Sequence, residues 1–186
     1  MPNSEDRDTK EMHPMSKAQL IKQQLDIARM VVNGTMADIT TDQAMAAPAG
    51  KAHPIGANLA HLIMSEDNVV NGVLKGAQPL MLSSFAGKTG VSEPQPAPGG
   101  DRDGWAKRVQ VDIPALREYA TAVHEATDAY VSGLSDSDLE RTVEFGPMGQ
   151  QPISNVLSLI AIVHASNHIG EVSALKGVAG ARGYPF

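Results

Sequence analysis

Residues 153–177 read ISNVLSLIAIVHASNHIGEVSALKG, and the spacing within them decides the fold. Ile153, Leu157, Ile160, His164, His168, Val172 and Leu175 recur three or four residues apart, the period of one face of an α-helix. Pro152 suits the start of that helix, and Gly177 and Gly180 suit its end. A stripe of this kind must be covered by other elements, so the segment belongs to a packed helical assembly. Two histidines stand within the stripe. Being four apart, they stack on one face with ~5–6 Å between their Cβ atoms. They point where core residues point, and an imidazole buried without a partner costs on the order of a few kcal/mol. A divalent ion satisfies both, since each ring can offer a nitrogen at about 2.0–2.1 Å from Zn²⁺. The competing reading is a pair of hydrogen-bonded core histidines with no ion.

Three further helical patterns lie upstream. Ser16 caps the first, in which Leu20, Ile21, Leu25, Ile27, Ala28, Val31, Val32 and Met36 cover roughly half the circumference. The second runs from about Ile55 to Leu74, with Leu59, Leu62, Ile63, Val69, Val70 and Val73, and stops at Gly76. The third follows Asp112 and Pro114, with Leu116, Ala120, Val123, Thr127, Tyr130 and Leu134 as its inner stripe. Residues 40–54 read as a connector, and residues 135–149 as polar turns around a short RTVEF segment. The proline- and glycine-rich stretch 76–110 breaks all periodicity, and only Leu80, Met81, Leu82, Phe85 and Trp105 offer anchors for it. A loop of that length in a small domain is usually functional or mobile. The expected architecture is all-α: a four-helix bundle with a long crossover connection between the second and third helices. Residues 1–15 lack periodicity and read as a frayed tail, leaving 16–186 as a single bundle domain.

Composition narrows the function. With 42% hydrophobic and 19% charged residues the chain has ordinary globular usage, so it should fold. There are no cysteines, which removes disulfides, thiolate ligands and a cysteine nucleophile; any metal must use His, Asp or Glu. The net charge of −6 and the lack of a basic cluster argue against nucleic acid. No apolar run reaches membrane-spanning length, and the start MPNSEDRDTKEMHP is polar and acidic, unlike a signal peptide; the expected location is cytoplasmic.

Two histidines alone rarely hold an ion, so a third ligand is needed. His61, in NLAHLIMSED of the second helix, is one candidate. At about 100° per residue it falls roughly 150° from the centre of the Leu59/Leu62/Val69/Val73 stripe, whereas Glu66 sits near that centre. Helical phase therefore favours Glu66, while Asn58, His61 and Ser65 form a polar strip that can also face the bundle. His124 falls at the edge of the third stripe and reads best as a boundary residue, although a fourth-ligand or supporting role is open to it. His13 and His53 each precede proline in loops and receive no role. The sequence lacks HExxH, which disfavours a zincin protease, and lacks the Glu-x-x-His pairs of di-iron bundles.

The upstream helix histidine followed by acidic residues (His61, then Glu66 and Asp67), the His164-Ala-Ser-Asn-His168 spacing, the continuation IGEVSALKG and the end GARGYPF together resemble the DinB-like (DinB/YfiT) superfamily of four-helix metalloproteins, over nearly the whole chain. The resemblance implies a metal triad of His61, His164 and His168, with a divalent Zn, Ni or Fe ion as cofactor. It implies a metal-dependent transferase or hydrolase, with thiol-dependent S-transfer or isomerisation of small molecules, using a low-molecular-weight thiol, as the leading activity. Because the chain has no thiol of its own, that thiol must arrive with the cosubstrate. Glu66, Asp67 and Glu171 are the candidate general bases near such an ion. The alternative is a non-catalytic bundle that binds metal or a small ligand. Family members are often homodimers, and the first helix is apolar over more than one seam needs, so a homodimer is expected. Ordinary imidazoles would release the ion as the pH falls below about 6.

Overall fold

The computed structural model describes residues 15–186, so the tail expected over 1–15 lies, apart from Met15, outside the described residues. Ser16 caps α1 (Lys17–Met36): its hydroxyl accepts from the Gln19 backbone N–H, and the Gln19 side chain accepts from the Ser16 backbone in return. The second long helix is α3 (Ile55–Asp67), which widens into a π-helical turn over Asn68–Leu74 and ends where Gly76 takes a φ of 61°. Asp112 caps α5 (Ile113–Ser132) through the Ala115 N–H, with Pro114 in the first turn. The fourth is a composite: α7 (Ile153–Leu157), a π-helical turn (Ser158–His164) and α8 (Ala165–Val178).

These four helices form the expected all-α bundle. Both α1 and α3 pack against α5 and against α8, so α1 and α3 face each other across the bundle's diagonal. Consequently α3 is central: eleven of its thirteen residues are buried, on every side of the helix. Leu59, Ile63, Leu116, Tyr119, Ile169 and Val172 belong to one apolar cluster, and Leu25, Val70, Leu139, Ile153 and Leu157 to a second.

The connections hold more structure than their sequences announce. The 40–54 connector contains α2 (Thr41–Met45), capped by Thr40 with Gln43. Within the crossover lie a 3₁₀ turn at Leu80–Leu82 and α4 (Arg102–Arg108), whose Trp105 is buried against the bundle. Leu80, Met81 and Phe85 also pack on the core, whereas Leu82 faces solvent. After α6 (Asp136–Glu140), the RTVEF segment supplies β1 (Thr142–Glu144), which pairs antiparallel with β2 (Gln150–Pro152) and leads into α7.

Charged groups tie the long helices together. Arg29 on α1 reaches across the diagonal: Nη2 donates to Glu66 Oε1 at 2.8 Å, and Nη1 donates to the His124 carbonyl at 2.6 Å and to Asp128 Oδ1 at 2.8 Å. Thr127 also donates to Glu66 Oε1. Burial pushes the Glu66 carboxyl up, and the Arg29 charge and the Thr127 hydroxyl pull against it. His124 is not the boundary residue expected. It is buried beside this pair, and desolvation, reinforced by Arg29, lowers its pKa to about 3.

Removing one partner of a buried ion pair leaves an uncompensated charge, whereas removing both need not. Arg29→Ala should therefore lower the unfolding free energy by ~3–5 kcal/mol, measured by urea denaturation, and Arg29→Met with Glu66→Leu should lie closer to wild type. A loss below about 1 kcal/mol in Arg29→Ala would show that the pair does not support the bundle.

Candidate metal centre

His61 sits in the middle of α3, His164 ends the π-helical turn, and His168 lies in the first turn of α8. π-Helical turns occur frequently at functional sites, and this one delivers the first histidine of the HxxxH spacing. The three rings meet. Their centroids are 4.9 Å (His61–His164), 4.9 Å (His61–His168) and 4.5 Å (His164–His168) apart, with interplanar angles of 74°, 80° and 83°. One nitrogen from each lies within 4.8 Å of the others, and His61 Nε2 is 3.0 Å from His164 Nε2. A tetrahedral ion with bonds of about 2.0–2.1 Å requires roughly 3.3 Å between ligand nitrogens, and the observed spacings of 3.0 Å and up to 4.8 Å bracket that value.

The outward nitrogens are held in the manner expected of ligands. His61 Nδ1 is 2.6 Å from Gln95 Oε1, and His168 Nδ1 is 2.9 Å from Glu171 Oε2. An oxygen at Nδ1 fixes the proton there and leaves Nε2 bare and facing the cluster. Gln95 is itself oriented, its amide donating to Ser65 Oγ at 3.2 Å. His164 Nδ1 is buried with no partner.

All three rings are neutral at pH 7. Burial lowers the His61 pKa to about 3 and the His164 pKa to about 4, with Arg102 and the other rings adding repulsion. Burial also lowers His168, partly offset by Glu171. Neutral imidazole is the form that binds a metal.

The carboxylates proposed as bases are placed less favourably. Glu66 faces Arg29 and Thr127 in the core. Asp67 accepts from the backbone N–H groups of Leu80 and Met81 at 2.9 Å each, and from the Tyr119 hydroxyl at 2.7 Å. It anchors the crossover to α3. Only Glu171 borders the triad, and it holds His168. His53 Nε2 lies 2.8 Å from Asp103 Oδ1 at the start of α4, and His13 lies outside the described residues. Sequence reasoning missed Gln95 and Arg102, because neither carries a local pattern and each meets the site only through the path of the crossover.

The chain is thus a helical bundle with three convergent histidines on two of its long helices. It matches the DinB superfamily over residues 24–172 and belongs to that family. It also resembles the crystal structure of a conserved protein from Enterococcus faecalis, with a TM-score of 0.73 and 23% identity over 90% of this chain and 99% of that one, a likeness of fold. No functionally curated protein matches it. Among the described residues no helix is long and apolar enough to cross a membrane.

The hydrogen-bond pattern assigns the Nδ1–H tautomer to His61 and His168. Long-range ¹H–¹⁵N correlation spectra of metal-free protein near pH 7 should show that tautomer for both, and Gln95→Ala should release only His61 to a mixture. An Nε2–H tautomer on His168 would show that Glu171 does not orient it.

Proposed function

We propose that this chain is a metal-dependent protein in which Nε2 of His61, His164 and His168 holds one divalent ion, and that it catalyses thiol-dependent transfer or isomerisation of small molecules. The observation that carries the reading is the mutual approach of three neutral imidazoles, His168 buried and His61 and His164 half-buried, two of them oriented from behind by Gln95 and Glu171. Hydrogen bonding alone accounts for the cluster poorly: with the protons of His61 and His168 on Nδ1, a single Nε2–H from His164 cannot satisfy both bare Nε2 atoms, and desolvation keeps the rings uncharged. An all-nitrogen, uncharged donor set suits Zn, Ni or Fe.

Three protein ligands leave a position open for a reactant, and a bound divalent ion lowers the pKa of a thiol or water placed there. The chain's own residues supply little acid–base assistance: Glu66 and Asp67 are engaged in the core, and Glu171 orients a ring. A reaction whose nucleophile is activated without a separate base, as a thiol is, fits this better than water-dependent hydrolysis. The same scarcity of free carboxylates supports the second reading, a bundle that binds metal or a small ligand without turnover.

Metal analysis of tag-free protein should give near one ion per chain. His164→Ala and His168→Ala should lose it, His61→Ala should weaken binding about tenfold or more, and Glu66→Gln should leave it nearly intact. If both HxxxH variants kept full occupancy while folded, the site would lie elsewhere. Release of the metal by Glu66→Gln, with His61→Ala sparing it, would instead define a site of two histidines and a carboxylate.

The pH dependence moves from the sequence-based expectation. Protons compete with the ion for the same nitrogens, and a ring whose pKa lies at about 3 or 4 takes up a proton only well below pH 6. Occupancy should therefore hold at about pH 5.5 and fall below about pH 5. A release midpoint near pH 6 would mean that the rings titrate as solvent-exposed imidazoles do.

We further propose a homodimer formed through α1 and the end of the chain. Leu20, Ile27, Met30, Val163 and Phe186 are exposed, and Ile27, Val31, Ile162, Ile169, Tyr184 and Phe186 line an apolar groove of about 440 Å³. Burying such a patch against a second copy is the common solution for a symmetric oligomer. Light scattering should give a mass near twice the 19.6 kDa of the chain. A single-chain mass across concentrations would refute the dimer.

A further inference from the structure

Arg102 opens α4, and it differs from the other half-buried or buried arginines in having nothing to bind. The side chains of Arg29 and Arg117 both donate to carboxylates or carbonyls. Nε is buried without a partner in all three, but among the described residues Arg102 makes no hydrogen bond through its terminal guanidinium nitrogens either. The two carboxylates whose charge reaches it are Glu171 and Asp103. Each is engaged elsewhere, Glu171 by His168 at 2.9 Å and Asp103 by His53 at 2.8 Å.

The position of Arg102 is fixed from both sides. Trp105, three residues on, is buried and donates to the Glu93 carbonyl, and Arg108 pairs with the Glu93 carboxylate at 2.9 Å. Two residues beyond Glu93, Gln95 holds His61. The crossover therefore packs α4 on α3, the helix that carries His61, and the Arg102 charge acts on His61, His164 and His168 together. A cation beside three neutral rings, whose two neighbouring carboxylates are each hydrogen-bonded to another group, is a ready acceptor of an anion.

We propose that Arg102 is the specificity residue of this site, pairing with a carboxylate carried by the small thiol that the three histidines' ion binds. The planar fork of donors matches a carboxylate in bidentate geometry, and the carboxylate supplies the partner that the guanidinium lacks in the protein. Glu171 limits the charge that can be accommodated, which favours one carboxylate near Arg102 over a cluster of them. The proposal rests on the metal reading above.

The test uses the full chain loaded with zinc, titrated by calorimetry with 3-mercaptopropionate and with its neutral methyl ester. Wild type should bind the acid about tenfold more tightly than the ester, the ratio expected of one charge-assisted pair. Arg102→Gln should bring the two affinities together with zinc content unchanged, and Arg102→Lys should retain part of the preference because it keeps the charge and loses the fork. Equal affinities in wild type, binding of neither ligand, or a preference that survives Arg102→Gln would overturn the proposal. Failure of the metal reading shows earlier and separately, as a chain that takes up no zinc before any thiol is added, and it removes this proposal with it.

Discussion

A polar side chain taken out of water must find a partner, and α3, buried on every side, carries several that have nowhere else to look. Each is answered by a different element. Glu66 is met by Arg29 from α1 and Thr127 from α5. Asp67 is met by the 3₁₀ turn of the crossover and by Tyr119, and Asn71 donates back to Asp67 at 2.8 Å. His61 is met by Gln95 on one side and by His164 on the other. These partners fix where α1, α5, the crossover and α8 must lie around α3. The bundle is positioned as much by satisfying one helix's polar groups as by burying its neighbours' stripes.

That constraint also explains why helical phase and the polar strip pointed to different third ligands. Phase analysis assumes one inward face, but a central helix has several. Glu66 is inward, toward α1 and α5, and His61 is inward too, toward α8 and the crossover. A second error lay in the ruler. From Asn68 the helix is π-helical, with Lys75 N–H bonded to the Val70 carbonyl, so each residue advances less than 100° around the axis. A stripe extrapolated through Val69 and Val73 drifts, and Val73 indeed faces solvent. The same widening over Ser158–His164 did not disturb the HxxxH reading, because rings four apart remain neighbours in either helix type.

The four long helices, their caps and the inward histidine pair were legible because each is a local pattern: Ser16 with Gln19, Asp112 with Pro114, a glycine past an apolar run. The crossover was not. Its helix α4 is seven residues with a glycine at its centre, too short and too poor in helix formers for periodicity to register. What holds it is tertiary: Trp105 in the core, Arg108 on Glu93, and Asp103 on His53 across 50 residues of chain. Gln95 and Arg102 inherit that illegibility. His124 escaped the periodicity for a related reason, since it is buried where α5 packs on α1, beside Arg29, ninety-five residues away in the chain.

The division between legible and illegible parts follows a division of labour. All three histidines stand on the long helices, whose packing sets where the rings start from the backbone. Gln95 and Arg102, by contrast, come from a crossover secured at a few points by Asp67, Trp105 and Glu93. Under the proposed ligation, changes in the crossover alter what approaches the histidines without rebuilding the rings themselves. Gln95 is the exception that couples the two layers, because it touches His61 directly and its own carbonyl sets which nitrogen of that ring is free. A displacement of the crossover would thus reach His61 through one hydrogen bond, while His168, oriented by Glu171 on its own helix, would keep its tautomer. The cluster has one ring that answers to the crossover and one that does not, so crossover position and ring orientation meet at His61.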